Sequence, residues 1–140
     1  GWIGARVKED GRMTLAMFRS GAPAGESTVE GFTTDADRFA LETAPGGAPR
    51  KLFLRGSRFE GGGVDLRTSR PASLSVSWAD GRTEVEIEGE AEGATLVLRL
   101  LTKPGMIELN GSPVRGWAYD RAARELRLRL PAGHSLIKIT

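Results

Sequence analysis

Residues 74–88 read LSVSWADGRTEVEIE, and their pattern indicates a β-hairpin. Apolar and polar side chains alternate on both sides of Asp80-Gly81, as in strands that bury one face. Asp-Gly is typical of a two-residue type I′ turn, because glycine accepts the positive φ that this turn requires. Counting outward from the turn places like opposite like: Val76 with Val85, Leu74 with Ile87, Ser77 with Glu84 and Ser75 with Glu86. A shift of one residue would destroy this match, so the register is well specified.

The same alternation extends over most of the chain. Two more turn dipeptides separate pairs of predicted strands: Asp10-Gly11 between Trp2–Lys8 and Met13–Phe18, and Asn110-Gly111 between Met106–Leu109 and Ser112–Val114. Pro113 has no N–H to donate, so its strand is expected at a sheet edge, with Ile107 opposite Val114. Further strands are predicted at Thr28–Thr33, Phe39–Thr43, Lys51–Leu54, Gly63–Leu66, Ala94–Leu100, Glu125–Leu130 and Ser135–Ile139. The segment Asp120–Glu125 is too short for a stable helix and is interpreted as a hairpin loop.

Short strands at close spacing, with turns between them, are typical of a sandwich or a barrel. The sequence therefore predicts an all-β fold, an antiparallel β-sandwich of about ten to twelve strands. A length of 140 residues suits one domain spanning 1-140. The predicted core consists of Leu54, Leu74, Val76, Trp78, Val85, Ile87, Leu96, Leu98, Leu128 and Ile139.

Composition and charge exclude several classes of function. The chain has no cysteine, which removes disulfides, thiolate metal sites and thiol nucleophiles. The net charge is +2, from 20 basic and 18 acidic residues that are interspersed, and the basic run of a nucleic-acid-binding protein is missing. No apolar stretch approaches the roughly 20 residues that span a bilayer. We therefore expect neither nucleic acid nor a membrane as a partner.

The N-terminal residues suggest a fragment of a larger protein. The chain starts with Gly1 rather than Met, and no signal peptide follows. A Trp-Ile pair is unusual at a terminus, where polar residues are the norm. We therefore expect an exposed apolar patch near Trp2 and Ile3, at the place where the rest of the protein would pack.

Two sets of residues carry titratable groups of the kind used in catalysis. His134 is the only histidine and follows a turn, and no Gly-x-Ser-x-Gly elbow accompanies it. It is interpreted as a solvated turn residue, and one histidine without cysteine does not make a structural zinc site. A stripe of glutamates occupies alternate positions: Glu84, Glu86, Glu88, Glu90 and Glu92. Neighbours on one strand lie on a flat surface rather than across a cleft, so the stripe is interpreted as a solvent face and no catalytic residue is predicted.

Two candidate ligand-binding sets remain. Asp35 and Asp37 offer oxygen ligands at a spacing that calcium uses, although a turn capped by its own side chains explains the same residues. Trp117 and Tyr119 follow Arg115 and have the parity to share one face of the chain. Their rings either pack at the rim of the core or stack on a sugar. Arg115, Trp117 and Tyr119 are therefore the candidate ligand-binding residues.

The last third of the chain carries a family resemblance. It reads GMIELNGSPV at residues 105–114, WAYD at 117–120 and LRLRLPAGH at 126–134. This succession resembles the terminal β-sandwich of many carbohydrate-active enzymes, with Asn-Gly-x-Pro-Val, an aromatic-Asp turn, an alternating strand and Leu-Pro-x-Gly. RKLFLRGSRF at 50–59 and PASLSVSW at 71–78 resemble the C-terminal β region of the heparinase II/III-like polysaccharide lyases.

The resemblance implies a non-catalytic accessory domain from the C-terminal part of a larger, bacterial polysaccharide-degrading enzyme. In such lyases the catalytic residues lie in a preceding α-barrel and central sheet, so none is carried over to this chain. The domain would support the catalytic domain of the parent chain or border its substrate cleft, with a polysaccharide as ligand and no cofactor. A carbohydrate-binding module and an Ig-like structural or interaction domain stay open as alternatives. The compartment stays open too, with an extracellular or periplasmic location slightly favoured.

Overall fold

The computed structural model describes residues 1–21, 25–88 and 93–140, and all regular structure within them is β. No helix there has the length and apolar character needed to cross a membrane. The strands are β1 Trp2–Glu9, β2 Arg12–Arg19, β3 Ser27–Val29, β4 Phe32–Thr34, β5 Arg38–Thr43, β6 Pro49–Gly61, β7 Val64–Ala79, β8 Arg82–Glu88, β9 Thr95–Arg99, β10 Ile107–Leu109, β11 Ser112–Pro113, β12 Ala118–Asp120, β13 Glu125–Arg129 and β14 Ser135–Ile139. The predicted all-β, sandwich-like fold is confirmed, with antiparallel strand pairs.

The described residues form fourteen strands, more than the expected ten to twelve, because some segments predicted as one strand contain a turn. The run Thr28–Thr33 was predicted as one strand but forms the β3–β4 hairpin. Its turn is Glu30-Gly31, where both residues have a positive φ, of 52° and 84°. Elsewhere two predicted strands merge, since Leu74–Trp78 and all of Gly63–Leu66 except Gly63 belong to the 16-residue β7.

The β7–β8 hairpin has the predicted register, with these pairs: Val76 with Val85, Leu74 with Ile87, Ser77 with Glu84 and Ser75 with Glu86. The turn differs from type I′, because Gly81 has a φ of 66° while Asp80 has no positive φ. Register is unaffected because the loop still contains two residues, between Ala79 and Arg82. The predicted β10–β11 pairing is confirmed as well, since the Val114 N–H donates to the Ile107 carbonyl at 2.8 Å.

The β6–β7 hairpin bends and belongs to both layers of the sandwich. Its open end pairs residues 51–56 with 72–77 and lies between β5 and β8. Its tip pairs residues 58–61 with 64–67 and lies between β4 and β9. The first sheet therefore has the order β1-β2-β5-β6-β7-β8-β14-β10-β11, and the second has β3-β4-β6-β7-β9-β13-β12. The register shifts between Gly56 and Arg58, where the chain passes from one layer to the other.

The core lies between the two sheets. The ring of Phe39, on β5 of the first sheet, lies 5.0 Å from that of Phe59, on the second sheet. Phe32 of β4 stacks on Phe59 at 5.1 Å. Edge-to-face and stacked arrangements of this kind stabilise aromatic pairs beyond the area that they bury. The predicted core residues are buried except Trp78, which is half-buried at the end of β7.

Candidate functional site

A cleft of about 440 Å³ brings the three candidate ligand-binding residues together. Arg115, Trp117 and Tyr119 all line it, as do Lys103 and Met106. It lies where the β10–β11 edge of the first sheet faces β12, the edge strand of the second. We call it the edge cleft. A gap between the edges of two packed sheets leaves side chains from both layers accessible to a ligand.

The two aromatic rings form walls of the edge cleft rather than a flat exposed platform. Trp117 is half-buried and packs against the hydrophobic core. Tyr119 is also half-buried, and its hydroxyl donates to the Leu100 carbonyl at 2.7 Å. This hydrogen bond uses the single donor of the phenol, so the hydroxyl can only accept a hydrogen bond from a ligand. Each ring therefore offers a ligand only part of its apolar face.

Two cations stand beside these rings. Arg115 and Lys103 are exposed, and within the described residues neither makes an ion pair. Arg58 differs, because it bonds Glu26 at 2.9 Å and Glu60 at 2.8 Å. The hydrogen bond that Arg58 donates to Glu60 and the charge of Glu26 raise the pKa of Arg58. Because no carboxylate of the described residues pairs with the cations of the edge cleft, their positive charge is available to an anionic ligand.

A second cleft, of about 460 Å³, lies at the end of the sandwich where β7 meets the segment after β9. We call it the end cleft. Trp78 lines it together with Arg99, and Lys103 lines both this cleft and the edge cleft. The assignment of Trp78 to the core is thus wrong in part. The residue alternates correctly with Leu74 and Val76, but it stands where the second sheet no longer covers the first.

Sequence reasoning missed Trp78, Arg99 and Lys103 as site residues. Lys103 lies in the irregular segment 100–106, between the predicted strands Ala94–Leu100 and Met106–Leu109. The available signal for Trp78 was its position two residues before the turn, which places it at the end of a strand. All three residues line a cleft because of how the two sheets pack, and local sequence patterns do not describe that packing.

Asp35 and Asp37, the calcium candidates, have separate places in the structure. One Asp35 oxygen accepts the backbone N–H groups of Ser57 and Arg58, at 2.8 and 2.9 Å, and the other accepts the Ser57 hydroxyl. Asp37 is exposed. The Ala36 N–H donates to the Thr34 hydroxyl at 3.0 Å, which is the geometry of a turn capped by its own side chains. The hydrogen bonds of Asp35 thus join this turn to the bulge in β6.

The glutamate stripe lies on the outer face of the first sheet, opposite serines of β7. His134 contacts this stripe, with its Nε2 2.9 Å from the Glu86 Oε1. Glu88 completes a group whose potential metal-ligand atoms lie within 4.8 Å of one another. All three side chains are exposed on a flat surface, where a hydrogen bond between His134 and Glu86 is the simplest description. Glu90 and Glu92 lie outside the described residues.

An apolar depression occupies the other half of this outer face. The register places small and apolar residues side by side across β1, β2, β5 and β6: Ile3 with Phe18, Ala5 with Ala16, Ala16 with Ala40, and Ala40 with Phe53. Ile3, Val7 and Phe18 are 51%, 58% and 49% exposed. The expected apolar surface is thus confirmed at Ile3. Trp2 points to the opposite face, where its ring lies 5.8 Å from Phe39 and its N–H donates to Ser27.

Comparison with known proteins adds no relative: no protein-family model and no curated protein matches the chain.

Proposed function

We propose that this domain is a non-catalytic accessory β-sandwich of a polysaccharide-degrading enzyme of the heparinase II/III-like lyase type. It borders the bound saccharide with the edge cleft and the end cleft. The observation that carries the proposal is the arrangement around Lys103, which lines both clefts. Each cleft adds one tryptophan and at least one arginine: Trp117 with Arg115 in the edge cleft, and Trp78 with Arg82 and Arg99 in the end cleft.

This arrangement fits the chemistry of an acidic polysaccharide. A pyranose ring presents a face of C–H groups that packs on an aromatic ring, and uronic acids add a carboxylate at each such sugar. Arginine holds a carboxylate through two parallel hydrogen bonds, whereas lysine acts as a compact point charge. Two clefts on either side of residues 100–106 would therefore accommodate successive sugars of one chain.

The exposed carboxylates support an accessory role rather than a catalytic one. Glu84, Glu86 and Glu88 project from a single strand onto a flat surface. A pair of carboxylates that hydrolyses a glycosidic bond must flank that bond. In the proposed function the groups that break the bond therefore belong to the catalytic domain of the parent chain.

The experiment that tests saccharide binding uses Arg115→Ala. Electrophoresis of the native chain in gels containing alginate, an anionic uronic-acid polysaccharide, measures the dissociation constant from the retardation. The variant is expected to bind about five- to tenfold more weakly, since one charge-assisted hydrogen bond is lost at an exposed site. Retardation should also weaken as salt is added.

Arg12→Ala is the matched control, because it removes the same charge at the opposite edge of the first sheet, on β2. Its affinity should equal that of the native chain. An equal loss of affinity in both variants would show that alginate binding depends only on net charge. That result, or no retardation of the native chain at low salt, would contradict the proposed site.

An Ig-like interaction domain is the second candidate function. The observation that favours it is the apolar depression around Ile3 and Phe18, which lies on the outer face of the first sheet. Contiguous exposed apolar surface of this kind marks sites of protein association. A carbohydrate-binding module of the platform type, by contrast, needs exposed coplanar aromatic rings, and Trp117 and Tyr119 are half-buried.

A further inference from the structure

Among the described residues, the four free sheet edges differ sharply in length. The first sheet ends at β1 and β11, and the second ends at β3 and β12. β11 has two residues, one of them Pro113, and β3 and β12 have three residues each. Short strands and proline are two of the means by which proteins prevent pairing at an edge, and charged side chains are a third.

β1 is neither short nor interrupted by proline, and its basic side chains, Arg6 and Lys8, lie on the face opposite Ile3, Ala5 and Val7. Its eight residues pair with β2 without a bulge, and it contains no proline. A regular edge of this length presents a row of backbone N–H and C=O groups to solvent, which is a template for another strand. Its outward side chains, Ile3, Ala5 and Val7, are apolar or small and are all exposed.

We propose that β1 is a homodimer interface, in which it pairs antiparallel with β1 of a second copy across a two-fold axis at Ala5. The axis stands perpendicular to the sheet, because only that orientation brings two antiparallel edge strands side by side in one continuous sheet. Residues on the outer face of one copy then lie opposite residues on the outer face of the other. The proposal is independent of saccharide binding, since the edge cleft lies at the far edge of the first sheet and the end cleft lies at the end of β7.

The sequence of β1 is self-complementary about Ala5. In the proposed register Ala5 lies opposite Ala5 of the second copy, and Ile3 lies opposite Val7 in both directions. On the inner face Gly4 lies opposite Arg6 and Trp2 lies opposite Lys8, so no like charges are directly opposed. Apolar cross-strand pairs stabilise an antiparallel ladder, and like charges directly opposite each other destabilise it.

The neighbouring registers fit less well. A two-fold axis at Arg6 would place two arginines opposite each other, although each already pairs with its own Glu30 at 2.9 Å. An axis at Gly4 would place Ile3 opposite Ala5 and leave Val7 opposite Gly1, without an apolar neighbour. The match of side chains therefore selects a second copy in one particular register, in preference to an arbitrary extended peptide.

Sedimentation equilibrium of the 140-residue chain tests the dimer, and Ala5→Glu tests the interface. We expect a concentration-dependent monomer–dimer equilibrium, and we expect Ala5→Glu to weaken it at least about tenfold because two carboxylates meet at the axis. Ala16→Glu is the matched control. Ala16 lies opposite Ala5 on the same exposed face but one strand further from the edge, so its dimer should persist.

Cysteine cross-linking tests the register, because the native chain has no cysteine. Opposed residues of antiparallel strands have Cα atoms about 5 Å apart, within the range of a disulfide. In Ala5→Cys the two thiols are opposed, whereas in Val7→Cys they lie roughly 13 Å apart along the strands. Mild oxidation should therefore link Ala5→Cys at least about tenfold faster. A monomer at all concentrations, a dimer that Ala5→Glu leaves intact, or faster linking of Val7→Cys would each overturn the proposal.

Discussion

Asp35 joins two segments of the chain that lie far apart in sequence. Its carboxylate accepts hydrogen bonds from Ser57 and Arg58, 22 and 23 residues away. The Asp35 carboxylate therefore accepts from backbone N–H groups that the bulge in β6 leaves without a partner in the strand ladder. Aspartate at this position is explained by backbone geometry, without a bound ion.

Replacement of Asp35 by alanine is expected to destabilise the domain by about 2 kcal/mol. The change leaves two partly buried backbone N–H groups without their acceptor, and such groups cost more than the net value of an ordinary hydrogen bond. Urea denaturation of the native chain and of Asp35→Ala measures the difference in free energy of unfolding. Asp37→Ala is the matched control and should change it by less than about 0.5 kcal/mol, because Asp37 is exposed. Equal effects of the two substitutions would contradict the role assigned to Asp35.

The bent β6–β7 hairpin joins the two sheets, and Gly56 lies at its bend. A Cβ atom at Gly56 would lie 2.8 Å from the Ala36 Cα and 2.8 Å from the Asp35 Oδ1. The φ of Gly56 is not positive, so contact rather than backbone strain explains the glycine. The absence of a side chain lets the Thr34–Asp35 turn lie against the bulge.

Gly56→Ala is expected to lower the free energy of unfolding by about 1–3 kcal/mol, the usual cost of overpacking. Gly116→Ala is the control, because a Cβ there would meet no atom within 4 Å. In the double variant with Asp35→Ala, the loss in free energy of unfolding should be smaller than the sum of the two single losses. The reason is that the close contact with the Asp35 carboxylate is already gone. Full additivity would show that the two residues do not share one contact.

These elements also show what local sequence could predict. The β7–β8 register follows from a turn and its flanking alternation, all within fifteen residues, so it was predicted correctly. The bend of β6 depends on Asp35, a partner far away in sequence, so no pattern within β6 predicts the bend. Thr28–Thr33 was read as one strand because positive φ at Glu30, a non-glycine residue, leaves little trace in the sequence.

The candidate saccharide-binding surface and the candidate dimer surface lie far apart on the molecule. The edge cleft lies at the β10–β11 edge of the first sheet, and the proposed dimer strand β1 lies at the opposite edge. Arg115, Trp117 and Tyr119 could be proposed from sequence because they are neighbours in the chain. Trp78 and Lys103 could not, since only the packing of one sheet against the other brings them to the clefts.

The most direct test of the central claim, that the two clefts contact an acidic saccharide, is a titration followed by nuclear magnetic resonance. The chain has three tryptophans, whose indole N–H signals can be assigned by single Trp→Phe variants. Trp117 lines the edge cleft and Trp78 the end cleft, whereas Trp2 lies on β1 at the far edge. On addition of an alginate oligosaccharide the account predicts that the Trp78 and Trp117 signals shift together and that the Trp2 signal stays in place. Shifts confined to Trp2, or no shift of any indole signal, would contradict it.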